Sequence, residues 1–225
     1  MARVRTLQDM MDEVRDGADV DDDFIDNTLL IRLINTKLAG LFRHLVNVNK
    51  DFFVEGPTVI PTVSGTATIA VPVDFFRILA VDRQSSGNWY NVPRFDLPQR
   101  NMFQDESDPN ATRYRMLGTT IRLTPTPSSV FNVRLWYCPA PPVLSLAGIS
   151  TWDGFAGYEE MATLDSIIAL KLKQDEDVSG ELVVRRAVVD DILASASERD
   201  DAEPDLVRDV DLEVVNRRDF GDWGA

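Results

Sequence analysis

The sequence predicts an α+β fold: a four-helix-type bundle, a small antiparallel β module inserted between helices two and three, and an extended C-terminal arm. Three observations predict it. Apolar residues recur at helical spacing toward both ends of the chain, the period changes to alternation between Gly56 and Pro142, and the final stretch carries spaced apolar anchors in an acidic background. The corresponding boundaries are 1–55 and 151–198 for the bundle, 56–150 for the β module and 199–225 for the arm.

Thr6, with Asp9 three residues on, precedes Leu7, Met10, Met11 and Val14 on one helical face, which predicts a capped first helix ending near Gly17. The acidic turn Asp19-Val20-Asp21-Asp22-Asp23 then places carboxylates at the positive end of a second helix. Leu30, Ile34, Leu38, Leu41, Leu45, Val48 and Phe52 form a sustained stripe from about Phe24 to Asp51, a strut of roughly 40 Å at about 1.5 Å per residue.

In the middle, Thr66 to Val71 puts threonines on one face and apolar groups on the other. Ile78 to Val81 is a second strand, and the turn Ser85-Ser86-Gly87-Asn88 leads to a third at Trp89-Tyr90. Arg113 to Leu117 and Thr120 to Leu123 flank Gly118 as a hairpin, and Val130 to Cys138 is a further strand. Gln104 to Ala111 has neither period and reads as a mobile loop. Pro139-Ala140-Pro141-Pro142 cannot continue a strand and returns the chain to helix. Helix three carries Met161, Leu164, Ile168 and Leu172, and ends at Asp175-Glu176-Asp177. Ser179 is the expected cap of helix four, whose stripe is Leu182, Val189, Leu193 and Ala196, widened by Val184, Val188 and Ile192. The short connection makes the last two helices antiparallel neighbours.

Composition bounds the function. An apolar fraction of 44% and a charged fraction of 27% in 225 residues fit one generous globular domain or two small ones. A net charge of −14 argues against a dedicated nucleic-acid surface, which needs clustered Lys and Arg. Residues 1–55 hold 7 basic and 11 acidic side chains, residues 56–150 hold 8 and 6, and residues 151–225 hold 8 and 20, so a nearly neutral middle lies between acidic ends. A single cysteine, Cys138, excludes an internal disulfide and a thiolate metal cage. No apolar run reaches the roughly 18 residues of a membrane span, and the N-terminus leads into no signal-peptide core; synthesis and folding in a cytoplasm, with no membrane partner, are expected.

Catalytic chemistry finds little support. His44 is the sole histidine, so no multi-histidine metal site exists, and it reads as a surface or core-edge residue of the long helix. Cys138 sits at a strand end rather than in an electropositive, helix-N-terminal site, and reads as structural. The acidic clusters Asp21–Asp23, Asp175–Asp177 and Asp200–Glu203 fall in turns and helix ends, not in a cleft that separates two pKa values. Asp19 to Asp23 lacks the glycine and the twelfth-position glutamate of a calcium loop, and no glycine-rich phosphate loop occurs. The expectation is no enzyme, no cofactor and no metal. The aromatics Trp89, Tyr90, Phe95, Tyr114, Trp136 and Tyr137 are either a sheet core or a stacking platform for sugar or single-stranded nucleic acid, with the core favoured.

The arm is different in kind. A purely solvating tail lacks aliphatics and aromatics, whereas Leu206, Val210, Leu212, Val214, Val215, Phe220 and Trp223 interrupt this one. That pattern suits a segment that orders on a partner.

A family resemblance rests on runs taken in order. They are Val71-Pro72-Val73-Asp74-Phe75-Phe76-Arg77-Ile78-Leu79-Ala80-Val81, Arg113 to Gly118 followed by Ile121 to Pro127, Leu135-Trp136-Tyr137-Cys138-Pro139-Ala140-Pro141-Pro142, Tyr158 to Asp165, Lys173 to Ser179 and Arg199 to Pro204. In this order they resemble the head–tail adaptor (connector) proteins of tailed bacteriophages, over about residues 6 to 215. The resemblance implies a structural virion protein of the neck, assembled in the host cytoplasm as a twelve-fold ring of its own copies beneath the portal protein. DNA would pass through the ring's channel without specific binding, and the far face would receive the tail or next neck protein. The C-terminal extension would grip the portal, which assigns Leu206, Val210, Leu212, Val214, Val215, Phe220 and Trp223 to a docking arm. Another neck or tail-tube component (a stopper or terminator), a glycan-binding β module and a carboxylate hydrolase are the alternatives, the last the least supported.

Overall fold

The computed structural model of the chain describes residues 5–103, 112–152 and 157–198. Among these, four helices and seven strands run in the order α1 (Leu7–Ala18), α2 (Asn27–Val48), β1 (Glu55–Pro61), β2 (Thr68–Ala70), β3 (Phe75–Ser85), β4 (Asn88–Asn91), β5 (Arg113–Leu117), β6 (Thr120–Thr124), β7 (Asn132–Pro139), α3 (Glu159–Lys173) and α4 (Ser179–Glu198), with a 3-10 turn at Leu97–Gln99. The fold is α+β with antiparallel sheets, and every strand falls between α2 and α3 in sequence. The segment Gln104 to Ala111 lies outside the described residues.

Helix α1 begins where expected, because the Thr6 hydroxyl accepts the Asp9 N–H (3.1 Å) while the Asp9 carboxylate accepts the Thr6 N–H (3.0 Å). It ends at Asp19, in the left-handed conformation (φ 50°). Two residues earlier, a Cβ on Gly17 would stand 2.5 Å from Ile167 Cδ1, so the glycine lets α1 approach α3 closely. Helix α2 is shorter than its apolar stripe. Asp26 caps it by accepting the Leu29 N–H, and Asn49 turns extended at its end, leaving 22 residues or roughly 33 Å of helix. Leu30, Ile34, Leu38, Leu41 and Leu45 are buried as the stripe predicts, Phe52 is buried beyond the helix, and Val48 is exposed.

Helix α3 departs from its predicted face. Met161 and Ile168 are buried, but Leu172 is 55% exposed, and Ala162, Thr163, Ser166 and Leu170 take the interior instead. The reason is that α3 packs against α1, α2 and α4, and small residues let several helices approach it. Thr163 and Ser166 satisfy their buried hydroxyls by donating to the carbonyls of Glu159 and Ala162. The expected cap Ser179 is instead the first residue of α4. Asp177 serves the corner, accepting the Ser179 N–H (3.0 Å) and hydroxyl (2.9 Å). The two helices are then tied by Lys171 Nζ to Glu181 Oε1 (2.7 Å) and by Arg185 to Asp165.

That corner carries a pH dependence. The hydrogen bonds from Ser179 hold the Asp177 carboxyl below its ordinary 3.8, and the hydrogen bond from Lys171 holds Glu181 below 4.5. A carboxyl depressed in the folded state contributes stability above its unfolded value and loses it as pH falls through the folded value. Amide exchange in residues 177–184 is therefore expected to be flat from pH 7 to about 5, once corrected for intrinsic rates, and to quicken below pH 4. Asp177→Asn should remove part of that acid sensitivity. An unchanged acid response in the variant would contradict this reading of the corner.

The strands form two antiparallel sheets, ordered β1-β7-β3-β4 and β2-β6-β5. Ile69, Ile121, Leu123 and Tyr114 from one meet Val81, Val133, Leu135 and Tyr137 from the other in a shared apolar cluster. Two-residue hairpin turns need positive φ, supplied by Ser86 and Gly87 (50° and 83°) between β3 and β4 and by Gly118 (59°) between β5 and β6. On β3 the Asp82 carboxylate accepts Nε and Nη2 of Arg134 and Nε1 of Trp136, all on one oxygen within 3.0 Å. Arg134 also lies over the Trp89 ring, 4.7 Å from its centroid. Phe95, Tyr114 and Tyr137 are core residues, Trp89 and Trp136 are partly covered and Tyr90 is exposed, so the six aromatics form no single stacking platform.

Helices and strands share contacts. Cys138 of β7 and Leu144 belong to the helical core. The Asn35 side chain of α2 donates to the Leu144 carbonyl (2.9 Å) and accepts its N–H (2.8 Å), and the Leu7 N–H of α1 donates to the Ser150 carbonyl (2.7 Å).

Candidate functional site

Residues with the chemistry for catalysis are scattered. His44 is exposed on α2, while Cys138 is fully buried, its Sγ 3.7 Å from the Pro139 carbonyl oxygen. The acids of the first turn are engaged locally: Asp21 accepts the Phe24 N–H, Asp22 pairs with Arg15 at 2.5 Å and Asp26 caps α2. Among the described residues no group of three His, Cys, Asp or Glu is arranged to hold a metal ion, and no helix is long and apolar enough to cross a membrane.

The described surface offers three features instead: an exposed apolar helix face and two clefts. The first is on α4. Leu182, Val183 and Val184 are 49%, 72% and 53% exposed, with exposed Leu172 of α3 before them, while Ile192 and Ala196 of the same helix are buried. Apolar residues thus point several ways around the first half of α4, a distribution suited to a helix covered on more than one side. Sequence reading placed Leu182 and Val184 in the internal stripe; the structure leaves them outside it, because α4 adds apolar side chains to the helical core only from Val188 onward.

The second is a groove of about 640 Å3 between Phe53, Val54, Asp74, the run Pro139–Pro142 and Trp152. Its aromatic wall is built by Phe53 and Trp152, stacked 5.1 Å apart on Phe42 of α2. The prolines leave the strand and cannot pair, so they line the opening.

The third is a cleft of about 430 Å3 where the end of α2 meets the strands. Among the described residues, Lys50, Arg77, Arg94 and Arg115 surround it with Asp51 as its one acid, and Ile78, Leu79, Met116 and Tyr114 supply the rest of the lining. Burial pushes the Tyr114 hydroxyl above its ordinary 10.0, with Arg94 acting the other way. Sequence reading missed this cleft, since its cations are spread from residue 50 to 115 and only the fold gathers them. The faint signal was the positive balance of residues 56–150 in a chain of net charge −14.

The sequence-predicted anchors Leu206, Val210, Leu212, Val214, Val215, Phe220 and Trp223 lie outside the described residues.

A family model for the SU10 adaptor protein matches residues 5–208, and the chain belongs to that family. It is a structural phage adaptor and a virion component, of a family that is not an enzyme class. No match was found among curated proteins. The family match stops before Val210, so of the seven anchors only Leu206 falls within it.

Proposed function

We propose that this chain is the head–tail adaptor subunit of a tailed-phage neck. Twelve copies form a ring beneath the portal protein, DNA passes through the channel without being held, and the far face receives the tail or next neck protein. Each subunit is a four-helix bundle (1–55 and 151–198) interrupted by the β module (56–150), with residues 199–225 as the arm that grips the portal. Assembly takes place in the host cytoplasm.

The observation that carries this reading is the family match across residues 5–208. Two physical features support it. The exposed apolar start of α4 suits a heterologous contact with the next copy, the kind of contact that closes a ring. A net charge of −14 suits a conduit that must not retain polyphosphate. The test is deletion of residues 205–225, which should leave the helices and strands folded while abolishing capture by portal-bearing heads. Normal capture of the truncated subunit would refute the arm's role.

A further inference from the structure

The cationic cleft has no part in the function proposed above. Among the described residues four cations face one acid there, in a chain with 37 acidic and 23 basic side chains. Two of the four are anchored: Arg77 Nη1 donates to the Val46 carbonyl (3.4 Å), and Arg115 Nη1 donates to the Phe95 carbonyl (3.2 Å) with Asp96 3.9 Å away. Each retains further guanidinium N–H groups. Lys50 and Arg94 are exposed, and neither forms an ion pair with another described residue. The strand beneath is irregular in the same place, since the β3–β7 register shifts between Phe75 and Arg77 and again between Ile78 and Ala80. Such bulges re-aim side chains, here those of Arg77, Ile78 and Leu79.

An open sheet edge runs into the cleft. Strand β5 pairs with β6 on one side, and on the other Tyr114 exchanges hydrogen bonds with Pro93 and Phe95. In an antiparallel ladder, outward N–H and C=O groups alternate, so Met116 turns its own pair to that same edge. The chain that covers Tyr114 leaves at Asp96 for the 3-10 turn and does not reach Met116. Cations and apolar side chains, beside a strand edge that no described residue pairs at Met116, suit an extended acidic peptide that adds a short strand.

We propose that this cleft receives the Asp209-Val210-Asp211-Leu212-Glu213-Val214 segment of the C-terminal arm. In an extended chain successive side chains alternate in direction, so Asp209, Asp211 and Glu213 would face the cations while Val210, Leu212 and Val214 face the other way, toward the apolar lining. Residues 199–208 are a tether of at most about 35 Å. Nucleic acid fits less well: a phosphate backbone makes no use of Ile78, Leu79 and Met116, and the net charge repels it. Val210, Leu212 and Val214 of this segment are also among the residues assigned to the portal-docking arm, so cleft and portal would compete for them, while Phe220 and Trp223 lie beyond the segment.

Hydrogen exchange on the full-length protein tests it. At low salt, amides of residues 209–214 and of 115–117 should exchange at least tenfold more slowly than in the Lys50→Glu/Arg94→Glu variant, and 0.5 M NaCl should remove most of the difference. The arm variant Asp209→Asn/Asp211→Asn/Glu213→Gln, which leaves the cleft untouched, should quicken exchange at 115–117 by a similar factor. Protection that grows with protein concentration would assign the arm to a neighbouring copy, and constant protection to the same chain. Exchange at 209–214 equal in wild type and cleft variant would overturn the proposal. So would a cleft that binds a 20-base-pair duplex, loses it on Arg94→Glu, and leaves arm exchange unchanged.

Discussion

Phe42→Ala is expected to destabilise the protein by about 3–5 kcal/mol, the largest loss from any single truncation in the helical core. The ring is 1% exposed, and it stacks on Phe53 at 4.9 Å, meets Phe76 edge-on at 5.2 Å and lies 5.7 Å from Trp152. Those partners come from the segment after α2, from β3 and from the segment before α3. Removing Phe42 therefore opens a cavity where the chain enters and leaves the strands, and forfeits aromatic pairs worth about 0.5–1.5 kcal/mol each. For a chain of this size the melting temperature should fall by roughly 10 °C. Phe42→Leu, which keeps much of the volume, should lose less than half as much. A loss below about 1 kcal/mol for Phe42→Ala would show that the aromatic cluster does not join the two halves.

Loss of the arm should have the largest effect on assembly. Phe220 and Trp223 are the two aromatic anchors of residues 205–225, and aromatic side chains dominate the energetics of docked segments. Trp223→Ala should weaken one subunit's grip by about 2 kcal/mol, a factor of about 30. In a ring, each additional arm binds at high effective concentration, so the per-subunit loss compounds. Deleting residues 205–225 should then reduce incorporation into particles to background, with the helices and strands of the remaining chain still folded. Incorporation within a few-fold of wild type would mean that the helices or the β sheets, and not the arm, bind the portal.

Legibility from sequence varied with the physics of each element. Helix α1 was readable to a residue because a capping box is a local signal, and the two hairpin turns were readable from Ser86-Gly87 and Gly118 for the same reason. The stripe of α2 identified its buried face but overstated its length, since the helix starts only after its cap Asp26 and ends at Asn49, before the last residue of the apolar pattern, Phe52. Strand β1 went unnamed: Pro57 and Pro61 argue against a strand, and they are tolerated because β1 is the edge of its sheet. The buried face of α3 was misread because a helix packed by three others buries Ala162, Thr163 and Ser166, which carry no hydrophobic signal. The cationic cleft was not legible, because charge that is dispersed in sequence converges only through tertiary structure. The exposed apolar start of α4 was legible as composition and not as location.

The central claim, that this subunit is the adaptor between portal and tail, is tested most directly by a cryo-EM reconstruction of the particle's neck with the subunit placed in density. A ring of these subunits in direct contact with the portal, with the segment around Phe220 and Trp223 seated on portal density, is the expected result. A subunit located lower in the neck or along the tail tube, with another protein between it and the portal, would contradict it.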